Sequence, residues 1–102
     1  MSDSTLSVYV ISVAAEMVGT GVQNLRAYER AGLVTPGRTA GGTRLYSGDD
    51  ITRLRRVAAL LQAGLNLAGV AMVLELEEEN TRLRSRLRKA GPPMRIEPPY
   101  AP

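Results

Sequence analysis

Apolar positions keep helical spacing in some stretches of the chain and lose it in others, and the breaks outline the fold. Residues 1–8 are largely polar and predict a disordered lead-in. Tyr9-Val10-Ile11 follows as a short apolar run. Val13, Ala14, Met17 and Val18 then share one face of a short helix, which Ser12 can cap by accepting a hydrogen bond from a first-turn amide. Gly19-Thr20-Gly21 breaks that helix. A second is expected from about Val22 to Ala31, with Val22 and Leu25 inward. Gln23, Arg26, Ala27 and Arg30 stand at i, i+3, i+4 and i+7 and share another face. Gly32 stands at the C′ position that favours glycine. Two short helices joined by a tight glycine-containing turn make a helix-turn-helix.

After Leu33 to Pro36, the run from Arg38 to Tyr46 places Gly41-Gly42 between short Thr- and Tyr-containing segments, a hairpin signal. A two-stranded hairpin directly after a helix-turn-helix has the form of a wing. Ser47-Gly48-Asp49-Asp50 has capping-box form. The helix it opens turns Ile51, Leu54, Val57, Ala58 and Leu61 inward and leaves Arg53 and Arg56 outside. Gly64 ends it, and Asn66 can cap a long helix from about Leu67 to Lys89. The first half of that helix packs Leu67, Val70, Val73 and Leu74. Val73, Leu76, Asn80, Leu83 and Leu87 form a heptad seam spaced 3, 4, 3, 4.

Charges beside the seam are segregated. Glu75, Glu77, Glu78 and Glu79 precede Arg82, Arg84, Arg86, Arg88 and Lys89. An acidic half followed by a basic half matches an antiparallel copy of itself; parallel pairing, with Glu79 near Arg84 of a partner, also fits. So few heptads cannot hold a dimer alone, so neighbouring helices must contribute. Asn80 either fixes the register of the pair or is a tolerated polar residue. Five of the six prolines lie in residues 91–102, which predicts an extended or disordered tail. Met94, Ile96 and Tyr100 there are either a docking motif or part of that disorder. The expected divisions are a lead-in over 1–8, a DNA-binding domain over 9–65, a dimerisation segment over 66–90 and the tail over 91–102. No internal repeat is visible.

Composition narrows the chemistry. At 102 residues the chain fits one compact domain with an appendage, and its 44% hydrophobic and 23% charged content is ordinary for a globular protein. So small a core gains from dimerisation. Without Phe or Trp, it must be largely aliphatic. The net charge is +3 and, of 13 basic residues, only Lys89 is not arginine. Arginine's planar fork suits phosphate oxygens and guanine edges, although a charge of this size says little by itself. Cysteine and histidine are absent, which removes disulfides, thiol redox chemistry, Cys/His metal sites and the usual nucleophile–histidine pairs. No carboxylate cluster lies outside the helix flank. The expectation is no enzyme, no cofactor and no metal. No apolar run reaches about 18 residues and no signal-like segment is present, so a cytoplasmic, nucleoid-associated protein is expected.

The runs Ile11-Ser12-Val13-Ala14-Ala15-Glu16, Leu25-Arg26-Ala27-Tyr28-Glu29-Arg30-Ala31-Gly32-Leu33-Val34 and Gly42-Thr43-Arg44-Leu45-Tyr46 resemble the MerR family of bacterial transcription regulators. The likeness covers residues 9 to about 87. Tyr9 to Glu16 and Gly64 to Val70 resemble its HspR-like, heat-shock repressor branch. The resemblance implies a mainly α fold: a winged helix-turn-helix with a two-stranded wing and a C-terminal dimerisation helix forming an antiparallel coiled coil. It implies a homodimer on an inverted-repeat promoter site in double-stranded DNA. For the HspR branch it implies repression of chaperone operons, with the chaperone DnaK as co-repressor. Many members have a second aromatic where Ala27 stands and a Ser or Thr where Gly21 stands, so the target sequence cannot be carried across. Cysteine metal sensors and a drug-binding domain are absent, so no small-molecule effector is expected.

In this reading the second helix enters a major groove. Arg26 and Arg30 reach phosphates or guanine, and Gln23 and Asn24 read adenine or donate to phosphate. Thr20 brings the helix N-terminus to a phosphate. The plain alternative is a solvated polar face. Tyr28 either reaches the DNA backbone with its hydroxyl or packs its ring under the wing. Arg38, Thr43 and Arg44 on the hairpin grip the sugar-phosphate edge or minor groove, and Tyr46 is included with them, although a tyrosine at a strand end is often core. Arg53 and Arg56 are either solvated or on phosphate. The dimer seam is Val73, Leu76, Asn80, Leu83 and Leu87. Other functions compatible with the chain are a DNA-distorting activator, an excisionase-like architectural factor and a protein-interaction module.

Overall fold

The computed structural model describes residues 3–91. The elements run β1 (Ser7–Val10), α1 (Ile11–Val18), α2 (Val22–Arg30), β2 (Gly37–Arg38), β3 (Arg44–Ser47), α3 (Gly48–Gln62) and α4 (Leu67–Lys89). The chain divides into two compact units, Met1–Ala71 and Met72–Pro102. The proline-rich tail over 92–102, with its candidate docking residues, lies outside the described residues.

In the first unit β3 is the middle strand of an antiparallel sheet ordered β1-β3-β2. The β2–β3 hairpin pairs Gly37 with Leu45 and Arg38 with Arg44. Its tip is closed by two backbone bonds: Thr39 N–H to Thr43 O at 2.9 Å and Gly42 N–H to Thr39 O at 2.9 Å. Gly42 has φ 86°, left-handed backbone that disfavours any side chain. The third strand departs from the expected two-stranded wing. Ser7 and Val8, assigned to the lead-in, belong to β1, which pairs Ser7 with Ser47, Tyr9 with Tyr46 and Val10 with Leu45. The physical reason is that Tyr46 and Ser47 are buried, so the second edge of β3 needs backbone partners that water cannot supply.

The helix-turn-helix forms where the spacing places it, with two changes. Ser12 lies inside α1, whose N-cap is Val10 without any side-chain bond, because the strand runs straight into the helix. The inward residues of α1 are Ala14 and Ala15, while Val13 is exposed. Their small side chains let α1 lie close to α2 and α3, both of which it packs against. At the end of α2, Gly32 (φ 77°) turns the chain so that the Leu33 amide donates to Tyr28 O at 3.0 Å.

The reciprocal capping box at α3 is present: Asp50 N–H donates to Ser47 Oγ and Ser47 N–H to Asp50 Oδ2, each at 3.0 Å. Ile51, Leu54, Val57 and Leu60 are its buried residues. Leu60 thus takes the place expected for Leu61, which is half-buried. The core of this unit is Leu25, Leu33, Val34, Tyr46 and Val70 around those α3 residues. Two arginines tie α3 to backbone carbonyls, one in the loop after α2 and one near the end of α1. Arg53 Nε donates to Leu33 O, and Arg55 Nε to Met17 O at 3.1 Å.

Asn66 caps α4 by accepting from Gly69 N–H at 2.8 Å. Along α4, Val70 and Leu74 are buried, Val73 is half-buried and Leu67 is exposed. The second unit contains the part of α4 from Met72 to Lys89, with Met72, Leu76, Leu83 and Leu87 exposed. Among the described residues no helix is long and apolar enough to cross a membrane.

Candidate nucleic-acid interface

The face of α2 opposite the core carries the candidate contact residues. Leu25 and Tyr28 are buried on one side, which fixes the roll of the helix and turns Gln23, Asn24, Arg26 and Arg30 outward. Ala27 between them is half-buried. Arg26 and Arg30 have no hydrogen-bond or ion-pair partner among the described residues, so two solvated guanidinium groups stand one helical turn apart. At the start of α2, Gly21 is the N-cap and offers no side-chain acceptor to the first-turn amides. Such a helix start suits an anion. Beside it, Asn24 Nδ2 donates to Thr20 Oγ1 at 2.7 Å. That bond ties the two side chains to each other at the start of α2.

Tyr28 is 7% exposed, so its ring packs in the core. Tyr46 requires a correction. It is fully buried, hydroxyl included, and that hydroxyl has no hydrogen-bond partner among the described residues. No atom of Tyr46 is available to a nucleic acid; it shares a face of β3 with Arg44, but lies at the end of the strand paired with β1, where the core covers it, while Arg44 lies toward the hairpin tip and is half-buried. Burial raises its pKa above the ordinary 10.0, and the nearby Glu29 carboxylate pushes in the same direction against Arg44.

The wing brings Arg38, Thr43 and Arg44 together, and Glu29 joins them to α2. Glu29 Oε2 lies 3.1 Å from Arg38 Nη2, and Glu29 Oε1 lies 2.5 Å from Arg44 Nε. Arg38 Nη1 also donates to Gly42 O at 3.0 Å, and Thr43 N–H to Thr39 Oγ1 at 3.1 Å. One carboxylate therefore holds both wing arginines against the helix that carries Arg26 and Arg30. The spacing argument missed Glu29; its only sequence signal is an acid between two arginines on an otherwise uncharged or basic helix. Arg53, expected on the exposed side of α3, is half-buried and bound to a backbone carbonyl.

In the second unit, the proposed seam residues Leu76, Asn80, Leu83 and Leu87 are exposed and Val73 is half-buried. Arg82 pairs with Glu79 on the same helix. Among the described residues no cluster of three or more metal-ligating side chains exists.

Residues 9–77 match the model of the MerR HTH family regulatory proteins. A Streptomyces coelicolor protein with the provisional name heat shock protein HspR is 52% identical over 80 residues, covering 78% of this chain and 53% of that protein. The transcriptional regulator TnrA of Bacillus subtilis is 30% identical over 79 residues, covering 78% of this chain and 72% of that protein. The solved structure of HiNmlR, a MerR family regulator lacking the sensor domain and bound to promoter DNA, superposes with a TM-score of 0.63 at 27% identity. It covers 79% of this chain and 67% of that one. The chain spans about half the length of the first curated relatives it matches.

Proposed function

The chain belongs to the MerR family of helix-turn-helix regulatory proteins, DNA-binding transcription regulators rather than enzymes, and from that premise we propose that it binds an inverted-repeat promoter site as a homodimer and represses chaperone genes. The observation that carries the DNA contact is the outward face of α2, where Gln23, Arg26 and Arg30 stand exposed beside a helix start with open amides. Arg26 and Arg30 contact phosphate or guanine edges, Gln23 reads or donates alongside them, and Thr20 with Asn24 sets the approach to the backbone. Arg38, Thr43 and Arg44 of the wing hold the neighbouring sugar-phosphate edge. Two copies pair antiparallel through α4 along Val73, Leu76, Asn80, Leu83 and Leu87, and a two-fold dimer reads two inverted half-sites.

The chaperone-gene reading is supported by the 52% identity to the HspR-named protein over most of this chain. It carries with it a signal from chaperone availability, with DnaK as co-repressor. Selection of bound sequences from random duplex DNA tests the proposal. Enrichment of an inverted repeat, recurring upstream of chaperone genes and lost in Arg26→Ala, is the expected result. Binding indifferent to sequence would overturn it in favour of an architectural role.

A further inference from the structure

The charges beside the α4 seam do more than permit an antiparallel pair. With Val73, Asn80 and Leu87 at a and Leu76 and Leu83 at d, the positions flanking the seam are Glu77 and Arg84 at e and Glu79 and Arg86 at g. In an antiparallel pair, a layers face d layers, and the flanks meet e to e and g to g. Only certain registers satisfy this, and they differ by whole heptads.

In one, Leu76 faces the partner's Leu87 and Asn80 faces the partner's Leu83. Glu77 then meets the partner's Arg84, and Glu79 meets the partner's Arg86. By two-fold symmetry this makes four opposite-charge pairs. Slid by one heptad toward the N-terminus, Glu77 and Glu79 meet their own copies. Slid the other way, Arg84 and Arg86 meet theirs. Both neighbouring registers therefore set like charges against each other, which disfavours them. A parallel pair keeps only the two Glu79–Arg84 pairs and lays acidic half on acidic half.

We infer that Glu77, Glu79, Arg84 and Arg86 form a charge code on α4 that selects a second copy of this chain in one register, with Leu76 against the partner's Leu87. The inference rests on the homodimer reading above and deepens it. The apolar seam is the attraction: Leu76, Leu83 and Leu87 are exposed in the single chain. The charges supply the choice of partner and register. Glu79 is paired with Arg82 and Glu77 also has interactions within its own chain, so assembly exchanges partners along an existing charged surface. A helix from another regulator with the same leucine spacing but a different order of charges meets at least some like-charge contacts.

The test uses the full chain without DNA. In Glu77→Arg/Glu79→Arg and in Arg84→Glu/Arg86→Glu, all four contacts become repulsive. Self-association, measured by sedimentation equilibrium at low salt, should weaken roughly ten- to a hundredfold in each. Mixing the two variants restores every pair and should return a heterodimer of near wild-type affinity, which also shows that both variants fold. Register is read with single cysteines, since the chain has none of its own. Leu76→Cys and Leu87→Cys should cross-link on mild oxidation when mixed, and neither should cross-link alone. A wild-type dimer unaffected by the charge reversals overturns the charge code while leaving the dimer intact. Self-linking of Leu76→Cys assigns a parallel pair and also overturns it. A monomeric wild type overturns the homodimer reading itself.

Discussion

Replacing Glu29 by glutamine should damage the wing and alter DNA discrimination at once. Glu29 is the one group that holds Arg38 and Arg44 to α2, with side-chain exposures of 21%, 48% and 31% for Glu29, Arg38 and Arg44. The Arg38 contact is nearly half open to solvent and lies at the low end for an ion pair, about 0.3 kcal/mol. The Arg44 contact is better shielded and reaches about 1 kcal/mol. The substitution should therefore cost roughly 1–1.5 kcal/mol of stability, or about 5–10 °C in Tm for a domain of this size. Measured at fixed protein concentration, the Glu29–Arg44 double-mutant cycle should give a coupling of about 1 kcal/mol, and the Glu29–Arg38 cycle less. On DNA, loss of the carboxylate frees two arginines and removes a negative charge beside the recognition face. Binding to random duplex should tighten at low salt, with a log–log salt slope steeper by up to about 0.9 for each newly made phosphate contact. Binding to the selected repeat should gain less, so the ratio of specific to non-specific affinity falls. Additive effects in the Arg44 cycle, with an unchanged affinity ratio, would refute the idea that Glu29 positions the wing.

Tyr46→Phe should leave stability unchanged or raise it by up to about 1 kcal/mol, since it removes a buried hydroxyl that has no partner among the described residues; urea melts read this, and DNA affinity should not change. The same phenol sets an alkaline limit. Its folded-state pKa lies above the ordinary 10.0, so the stability tied to its neutral form is full below pH 10 and is lost as pH rises from there through the folded value. Melts between pH 9 and 11 should show a decline that Tyr46→Phe reduces. Ser47→Ala breaks the reciprocal cap of α3 and should cost about 1 kcal/mol, visible as a lower urea midpoint at constant m-value.

Elements whose determinants are local in sequence were the legible ones. The helix-turn-helix follows from Leu25, Gly32 and the Gly19-Thr20-Gly21 break, the wing from Gly41-Gly42, and the start of α3 from Ser47 and Asp50. The third strand was hidden because its partner is remote: Ser7 pairs with Ser47. Its alternation of Ser7, Val8, Tyr9 and Val10 suits a strand, but so short a polar-flanked run does not announce itself as one. Alternation puts Tyr46 on the same face of β3 as Arg44, and only packing at the β1 end of the strand, which no local pattern reports, buries the one and leaves the other half-exposed. Ser12 lost the capping role because β1 leaves no turn before α1. The link from Glu29 to Arg38 and Arg44 joins a helix to a hairpin, and no periodicity within either element reports it. On α2, by contrast, helical geometry alone separated Leu25 from Arg26 and Arg30, and the structure exposes those two arginines as the spacing required.

The central claim is that Arg26 and Arg30 on α2 meet DNA. It is tested most directly by measuring affinity for one duplex carrying the selected repeat as a function of salt, for the wild type, Arg26→Ala and Arg30→Ala. With two half-sites per dimer, each substitution should weaken binding and flatten the log–log slope by about 1.8 if the lost contact is to phosphate. If the lost contact is to guanine, the selected repeat should lose its advantage over variants changed at that base. Affinities, slopes and base preferences that match the wild type in both variants would contradict the account.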